Sequence, residues 1–267
     1  MRASSWDIQP TSSMGIPVFD LFGKVAIITG AASQAGIGFA IARTFAAYGA
    51  DVVLADIDGT AVENRAAEIV AGTDTRCIGV ACDITDPQDR SRLVQETLLA
   101  FGKVHVLVNN AGLCSVRSQR ALDVDQEEWD LIIDTNLKAT FFLSQLVARE
   151  MTRNEEGAII NIASVAAIMA VKRKMPYLAA EAGIVQMTRG MALEWSRYNI
   201  RANCICPGTV KTDMTKDIPE DAPLRKQIPL GRIARPEEIA ALAVFLCSPA
   251  AAYITGEVIR IDGGLAM

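Results

Sequence analysis

Short apolar runs alternate with longer amphipathic stretches along most of the chain. The runs are rich in Val, Ile, Leu and Ala, as strands buried on both faces are, and the stretches between them carry apolar residues at helical spacing. The runs predict seven strands, at 25–29, 51–55, 77–82, 104–108, 157–162, 200–205 and 257–261. The stretches predict helices at 38–48, 61–70, 86–101, 126–153, 176–198 and 236–246. This alternation predicts an α/β fold, a Rossmann-type doubly wound parallel sheet of about seven strands with helices on both faces.

The 267 residues show no break in composition and no internal repeat. We therefore expect one domain over residues 21–267, preceded by a flexible polar arm at 1–20. The arm lacks the hydrophobic segment of a signal peptide, and no apolar run reaches the ~20 residues that span a membrane. A cytoplasmic protein is the expectation, with no membrane partner.

Charge and reactive side chains narrow the function further. The net charge is −5, and no basic cluster is interleaved with aromatic residues, so no nucleic-acid partner is expected. Cys204 and Cys206 are predicted to share one face of a strand, but nothing completes a zinc site, so buried thiols and no metal are expected. His105 is the single histidine, and it lies at the start of a predicted strand, where a structural role is expected. With no other histidine, a Ser-His-Asp triad is excluded.

The first strand ends in a glycine-bearing turn that precedes a helix, an arrangement that lets a backbone approach a pyrophosphate. Asp56 follows the second strand, where a carboxylate can bind adenosine ribose hydroxyls and repel a 2′-phosphate, which favours NAD over NADP. The alternative is that Asp56 or Asp58 only begins a turn. The candidate phosphate-side residues are Gly30, Ser33, Gln34, Gly36, Ile37 and Gly38, with Ile57 beside Asp56.

Several further motifs follow in a fixed order. They are Cys82-Asp83-Ile84, Asn109-Asn110-Ala111-Gly112, Asn136, Ser164 with Tyr177 13 positions later, Pro207-Gly208-Thr209-Val210-Lys211-Thr212, and Asp262-Gly263-Gly264. With these motifs the chain resembles the classical short-chain dehydrogenase/reductase family, from about Leu21 to its end. The resemblance implies that NAD is bound by the turn residues and also by Asp83, Ile84, Asn110, Ala111, Gly112, Tyr177, Pro207, Gly208, Val210 and Thr212.

The resemblance also implies hydride transfer between nicotinamide and a carbonyl or alcohol carbon. Tyr177 would be the acid/base, Ser164 would polarise the substrate oxygen, and Asn136 would hold a water of the proton relay. The family commonly forms homotetramers through its long helices, and a homotetramer or dimer is expected here. Apolar helical positions that could serve as the contact are Phe141, Phe142, Leu146, Met187, Met191 and Trp195.

The chain departs from the family pattern at two places. Five residues separate Gly30 from Gly36, two more than is common, so Gln34 and Ala35 look inserted. A longer turn resembles the divergent enoyl reductases, but the lysine that those enzymes carry seven positions after the tyrosine is Ile184 here, so we reject that assignment.

The second departure is Glu181, which stands four positions after Tyr177 where the family has a lysine. Both side chains should lie on one face of a helix, and a carboxylate there raises a phenol pKa that a cation would lower. Three interpretations stay open. Glu181 is protonated and the enzyme is weak, a cation from Lys172-Arg173-Lys174 substitutes, or the chain binds NAD with little catalysis.

The substrate pocket is expected at 113–116, 165–169 and 212–233, and the last segment resembles a mobile lid or, alternatively, is a surface loop. These segments are mainly apolar, which suits a secondary alcohol, polyol or ketone. A 3-oxoacyl-carrier reductase is a further alternative, although Asp56 disfavours the NADP that such enzymes usually prefer.

Overall fold

A computed structural model describes residues 19–114, 117–216, 219 and 223–267. Most of the expected N-terminal arm, residues 1–18, lies outside the described residues, as do parts of two expected pocket segments, 115–116 and 217–222 except 219.

Seven strands and eight α-helices alternate along the described chain. The strands are β1 (Val25–Thr29), β2 (Asp51–Asp56), β3 (Cys77–Ala81), β4 (Val106–Asn109), β5 (Gly157–Ile162), β6 (Ile200–Pro207) and β7 (Val258–Ile261). The helices are α1 (Ile37–Ala47), α2 (Gly59–Gly72), α3 (Pro87–Phe101), α4 (Gln126–Ile132), α5 (Ala139–Asn154), α6 (Met175–Trp195), α7 (Pro223–Gln227) and α8 (Pro236–Cys247).

All seven strands form one parallel sheet in the order β3-β2-β1-β4-β5-β6-β7. The predicted fold class is confirmed. The strand order reverses at β1, which pairs with β2 on one side and with β4 on the other. In an open sheet of this kind, the carboxyl ends of the strands beside such a reversal form a crevice that binds ligands.

Helices cover both faces of the sheet and bury one core on each. Phe39 and Phe45 of α1 pack with Leu246 of α8 on one face. Leu93 of α3 and Leu143 of α5 pack on the other. The strands between the two layers are apolar on both faces, which explains why they lack an alternating pattern.

The candidate oligomer residues divide between this core and the surface. Phe141, Leu146, Met187 and Trp195 pack against the core of their own chain, and Met191 is buried in it. Their apolar character is therefore explained within one chain. Phe142 is 40% exposed, and the homotetramer remains a prediction.

Polar side chains tie the central strands to the second helical layer. The Asn109 amide of β4 donates to Ser144 Oγ and to Asn161 Oδ1, both at 2.8 Å. The Asn161 amide of β5 in turn donates to Thr188 Oγ1 at 2.8 Å. All four side chains are buried, so the network satisfies groups that would be costly to bury alone.

His105 has the structural role expected from the sequence. It is buried, and its Nδ1 accepts a hydrogen bond from the backbone N–H of Val25 at 2.9 Å. Burial lowers its pKa, and the nearby Lys103 and Lys24 lower it further.

Cys204 and Cys206 do share a face of β6, with their sulfurs 3.9 Å apart, and both are free and buried thiols. Among the described residues, no helix is long and apolar enough to cross a membrane.

Two features of the helices differ from the prediction. The stretch 126–153 is not one regular helix, because residues Ile133–Lys138 form a π-helical turn between α4 and α5. The segment expected as a lid contains the short helix α7 and a 3₁₀ turn at Asp213–Thr215. Its prolines hid the helix from the pattern, since α7 begins at Pro223, where a first-turn proline is tolerated.

Candidate active site

A cleft of about 410 Å³ lies at the carboxyl ends of β1, β2, β4 and β5. It extends from the glycine turn after β1 to the middle of α6. Its walls are formed by Gly30, Ser33, Gly36, Ile37, Asp56, Asn110, Ala111, Gly112, Leu113, Cys114, Asn136, Thr140, Ile162, Ala163, Tyr177, Glu181, Ile184, Thr212 and Asp213.

The glycine turn is held against the segment after β4. Gly30 has φ +67°, and a Cβ built on it would lie 2.8 Å from the backbone of Ala111. Asn110 fixes this approach, because its amide donates to the carbonyls of Thr29 at 2.9 Å and Gly30 at 3.0 Å. A Cβ on Gly38 would lie 2.4 Å from the Gly30 carbonyl oxygen. Glycine is needed at both positions for helix α1 to begin so close to the strand.

The two additional residues of the turn form its exposed tip. The backbone N–H of Gly36 donates to the carbonyl of Ser33 at 2.9 Å and closes a tight turn around Gln34 and Ala35. Gln34 is not among the cleft residues. Ser33 is, and its hydroxyl donates to Asp213 Oδ2 at 2.6 Å, which connects the turn to the segment after β6.

The acid at the end of β2 enters the cleft. Asp56 Oδ2 accepts a hydrogen bond from the backbone N–H of Ala32 at 3.1 Å, so the carboxylate faces the glycine turn. Asp58 fits the alternative interpretation, since it caps α2 by accepting from Ala61 N–H at 3.0 Å. Ile57 is 75% exposed and lies outside the cleft wall.

Six more of the predicted cofactor residues lie outside the wall, beyond Gln34 and Ile57. Asp83 is turned toward its own loop, where it accepts from the N–H and hydroxyl of Thr85 at 2.8 and 2.7 Å. Ile84 and Val210 are buried in the core, and Gly38 lies behind Gly30. The residues in question are Gly38, Asp83, Ile84, Pro207, Gly208 and Val210, with Asp262-Gly263-Gly264 packed beyond them.

Tyr177, in the first turns of α6, faces the cleft beside Ser164, which follows β5. Burial raises the pKa of the Tyr177 phenol well above its ordinary value, and the nearby Glu181 raises it further. A hydrogen bond with the Ser164 side chain lowers it in part. The pair can hold a substrate oxygen, but the phenol resists ionisation.

Glu181 lies one turn further along α6, as predicted, and is only 3% exposed. Its Oε1 accepts a hydrogen bond from Asn136 Nδ2 at 3.1 Å. Burial raises the pKa of this carboxyl to about 7, and the Asn136 hydrogen bond limits the rise. Near neutral pH the side chain is therefore divided between its protonated and ionised forms.

Asn136 is positioned by the π-helical turn. Its Oδ1 accepts from the backbone N–H of Leu113 at 2.8 Å, and its amide donates to the Leu113 carbonyl at 2.9 Å. Thr140 Oγ1 donates to the Asn136 carbonyl at 2.6 Å and so satisfies a backbone group of the widened turn. Turns of this type often occur at functional sites.

The cationic run before α6 has no resolved effect on the pKa of Glu181. Lys172 and Arg173 are exposed, and no residue of the run lines the cleft. Substitution of the family lysine by a cation from this run therefore has no support in the geometry. The groups that shift the Tyr177 pKa are Glu181, Ser164 and two thiols, those of Cys114 and Cys206.

Some cleft residues carried no signal that sequence reasoning could use. Thr140, Ile162 and Ala163 have side chains typical of any core and reach the cleft through the fold alone. Asp213 lies in the segment expected as a lid, but its contact with Ser33 joins residues 180 positions apart. Of the expected pocket segments, Leu113, Cys114, Thr212 and Asp213 line the cleft.

The residues present fit a dinucleotide. The glycines leave the turn without side chains on the side of the cleft, and no side chain caps the N-terminus of α1. The first backbone N–H groups of α1 are thus available to a pyrophosphate. Asp56 offers acceptors for ribose hydroxyls at the other side of the turn.

Comparison with known proteins agrees with this geometry. The profile of the family described as enoyl-(acyl carrier protein) reductase matches residues 30–266. An NAD-dependent glycerol dehydrogenase of Listeria innocua is 40% identical over 251 residues, which cover 92% of this chain and 95% of the relative. A 3-oxoacyl-[acyl-carrier-protein] reductase of Chlamydia muridarum is 38% identical over 248 residues, 92% of this chain and 98% of the relative.

Solved structures show the same similarity. The structure of a 7α-hydroxysteroid dehydrogenase complexed with NADH and 7-oxo glycochenodeoxycholic acid superimposes with a TM-score of 0.85 at 37% identity. The match covers 92% of this chain and 96% of that one. The chain belongs to the short-chain dehydrogenase/reductase family of oxidoreductases.

Proposed function

We propose that the protein is an NAD-dependent oxidoreductase that interconverts a secondary alcohol or polyol and a ketone, with proton transfer slowed by Glu181. The observation that supports it most is the phenol of Tyr177 beside the Ser164 hydroxyl in a cleft that begins at a nucleotide-type glycine turn. The glycerol dehydrogenase relative is NAD-dependent and supports the choice of cofactor and of a polyol substrate.

The proposed cofactor residues are those that line the cleft, with Asp56 at the adenosine ribose and the turn and α1 at the pyrophosphate. Ala111, Gly112, Tyr177 and Thr212 border the end where chemistry would occur. NAD, when bound, supplies the acceptor or donor of the hydride. The chain's own residues hold the substrate oxygen and move its proton.

Tyr177 and Ser164 would both contact the substrate oxygen. Ser164 donates a hydrogen bond that polarises a carbonyl or orients an alcohol, and Tyr177 gives or takes the proton. Alcohol oxidation needs the phenol ionised, and its raised pKa makes that state rare at neutral pH. Asn136 donates a hydrogen bond to the carboxyl of Glu181, at the position where the family has a lysine.

Glu181 is expected to slow the reaction without preventing cofactor binding. A carboxyl can accept hydrogen bonds from ribose hydroxyls. Exchanging an attractive charge for a repulsive one at an effective dielectric of about 20 raises the barrier by ~3–4 kcal/mol. This corresponds to a factor of about 10² to 10³ in rate.

Glu181→Lys tests the proposal. Sugar alcohols and secondary alcohols are screened with NAD⁺ at pH 7 for the parent chain, Glu181→Lys and Glu181→Gln, with NADH titrated into each. We expect NADH binding in all three and a higher oxidation rate in the lysine variant. A folded lysine variant that binds NADH but is no faster would refute the electrostatic reasoning.

Two alternatives are tested by this experiment and by a second assay with a 3-oxoacyl thioester. Because Glu181 raises the Tyr177 pKa, a nicotinamide-binding protein with little catalysis is the second candidate, and tight NADH binding with no turnover by the parent chain selects it. The relative that reduces 3-oxoacyl carriers supports a third candidate. A 3-oxoacyl thioester reduced with NADPH in preference to NADH would select that activity and refute the role given to Asp56.

A further inference from the structure

The described side chains of the cleft wall that carry a full charge when ionised near neutral pH are carboxylates. Three carboxylates line it, those of Asp56, Glu181 and Asp213, and none of its described residues is a lysine, arginine or histidine. Asp213 is exposed and Asp56 is partly exposed, so solvent screens both charges. Glu181 is 3% exposed, and its charge acts through a poorly screened environment.

The pKa of Glu181 is shifted by burial and by Asn136, and by no described cation. On α6 its neighbour is Tyr177, and the π-helical turn contributes the neutral amide of Asn136 at 3.1 Å. The hydrogen bond with Cys204 lowers the pKa of the Cys206 thiol on β6, and burial and the Glu181 charge oppose that shift. The same hydrogen bond and burial raise the pKa of Cys204, and the Glu181 charge adds to the rise. Cys114 acts on Tyr177 from the segment after β4.

The nearest cation on the π-helical turn is engaged elsewhere. Lys138 is exposed and forms an ion pair with Asp134 at 3.0 Å. An ionised Glu181 is therefore a negative charge at the end of the cleft with no described counter-charge within it.

The oxidised and reduced nicotinamide dinucleotides differ at the ring alone. The oxidised ring carries a positive charge and the reduced ring is neutral, whereas the pyrophosphate and adenosine are the same in both. A fixed negative charge at the ring end of the cleft stabilises one form and not the other. A lysine at position 181 would have the opposite effect.

We propose that Glu181 makes the cleft select the oxidised over the reduced nicotinamide dinucleotide, and that this selection strengthens as the pH rises and the carboxyl ionises. The inference rests on the proposed function, since it requires the dinucleotide to bind with its ring near Tyr177. It concerns affinity, so it is independent of whether the site turns over any substrate.

The size of the effect follows from charge interactions at short range. Two unit charges several ångströms apart, at an effective dielectric of about 20, change an equilibrium by roughly 10- to 100-fold. Binding is reciprocally linked to protonation, so the oxidised form should lower the pKa of Glu181 from about 7 and release a proton near neutral pH.

Equilibrium titrations of NAD⁺ and NADH at pH 5.5 and pH 8.5 test the inference. The proteins are the parent chain, Glu181→Gln, and Glu194→Gln as the control, since Glu194 is exposed on the same helix. We expect the ratio of the NADH Kd to the NAD⁺ Kd to rise at least 10-fold between the two pH values in the parent and the control, and to stay constant in Glu181→Gln.

Calorimetry in buffers of different ionisation enthalpy gives an independent measurement. The parent should release a fraction of a proton per NAD⁺ bound at pH 7, and Glu181→Gln should release none. A constant Kd ratio in the parent, or an equal rise in Glu181→Gln, would overturn the inference while leaving the proposed function intact. If neither dinucleotide binds the folded parent at millimolar concentration, both fail.

Discussion

Replacing Glu181 by glutamine should make the protein more stable at alkaline pH. The folded chain holds the Glu181 proton up to a pKa of about 7, because the carboxyl is buried, whereas the unfolded chain releases it near 4.5. Between these values the folded state binds more protons than the unfolded state. The contribution of Glu181 to stability is therefore fully present below about pH 4.5 and is lost as the pH rises through about 7. Glutamine resembles the protonated form and keeps an oxygen to accept from Asn136.

The magnitude follows from the two pKa values. At about 1.4 kcal/mol for each pH unit that separates them, the complete loss is about 3–4 kcal/mol. Between pH 5 and pH 9 most of that loss occurs, about 2–3 kcal/mol by the same linkage. This is a large fraction of the 5–15 kcal/mol that stabilises a typical domain.

Urea unfolding at pH 5, 7 and 9 measures the effect. The difference in the free energy of unfolding between Glu181→Gln and the parent should grow with pH, and the comparison cancels the contribution of His105, which both proteins share. Glu194→Gln should show no such growth. A difference that is the same at all three pH values would refute the reasoning and place Glu181 in an environment as wet as the surface.

Further predictions concern the turn, the core and the contact across the cleft. Gly30→Ala forces a side chain onto φ +67° and to within 2.8 Å of neighbouring backbone, so it should lower stability by about 1–3 kcal/mol, and an unchanged urea midpoint would contradict this. Asn161→Ala removes one of the two acceptors of the buried Asn109 amide and should lower the free energy of unfolding by about 2–3 kcal/mol in thermal unfolding. A loss below about 0.5 kcal/mol would show that water replaces the lost acceptor. Asp213→Asn removes a negative charge bonded to Ser33 near the proposed pyrophosphate site and should tighten NADH binding about 3- to 10-fold, whereas equal or weaker binding would place the pyrophosphate elsewhere.

The strands and most helices could be predicted because their signal is local. A run such as Val25–Thr29 is apolar up to its final threonine and is buried throughout, and the helix after it begins one residue before the predicted start. The relation of Tyr177 to Glu181 was also predictable, since four residues along a helix fix a shared face.

What the sequence could not indicate depends on distant packing. The π-helical turn lies where α6 comes close, and a Cβ on Gly183 would lie 2.8 Å from a Leu137 methyl carbon. The burial that raises the Glu181 pKa, and with it the proton held near neutral pH, arises from the same packing. Neither feature is written in the local pattern of apolar residues.

One of the three interpretations of Glu181, a substituting cation from Lys172-Arg173-Lys174, has no support in the fold, since no residue of that run lines the cleft. Lys172 and Arg173 are close to Tyr177 in sequence, yet they lie on the exposed loop before α6. Closeness in sequence predicts contact between two residues of the same helix. It does not predict contact between a helical residue and one in the loop before the helix.

The π-helical turn at Ile133–Lys138 also fixes how α4 is rotated relative to α5. One residue of an α-helix corresponds to a rotation of about 100°. Deleting a single residue there would give one regular helix. It would also rotate α4 relative to α5, so that buried Ile132 of α4 would no longer face the residues against which it now packs. The additional residue therefore sets the rotation between two helical segments. A chain without it would lose either the hydrogen bond from Asn136 to Glu181 or the packing of α4.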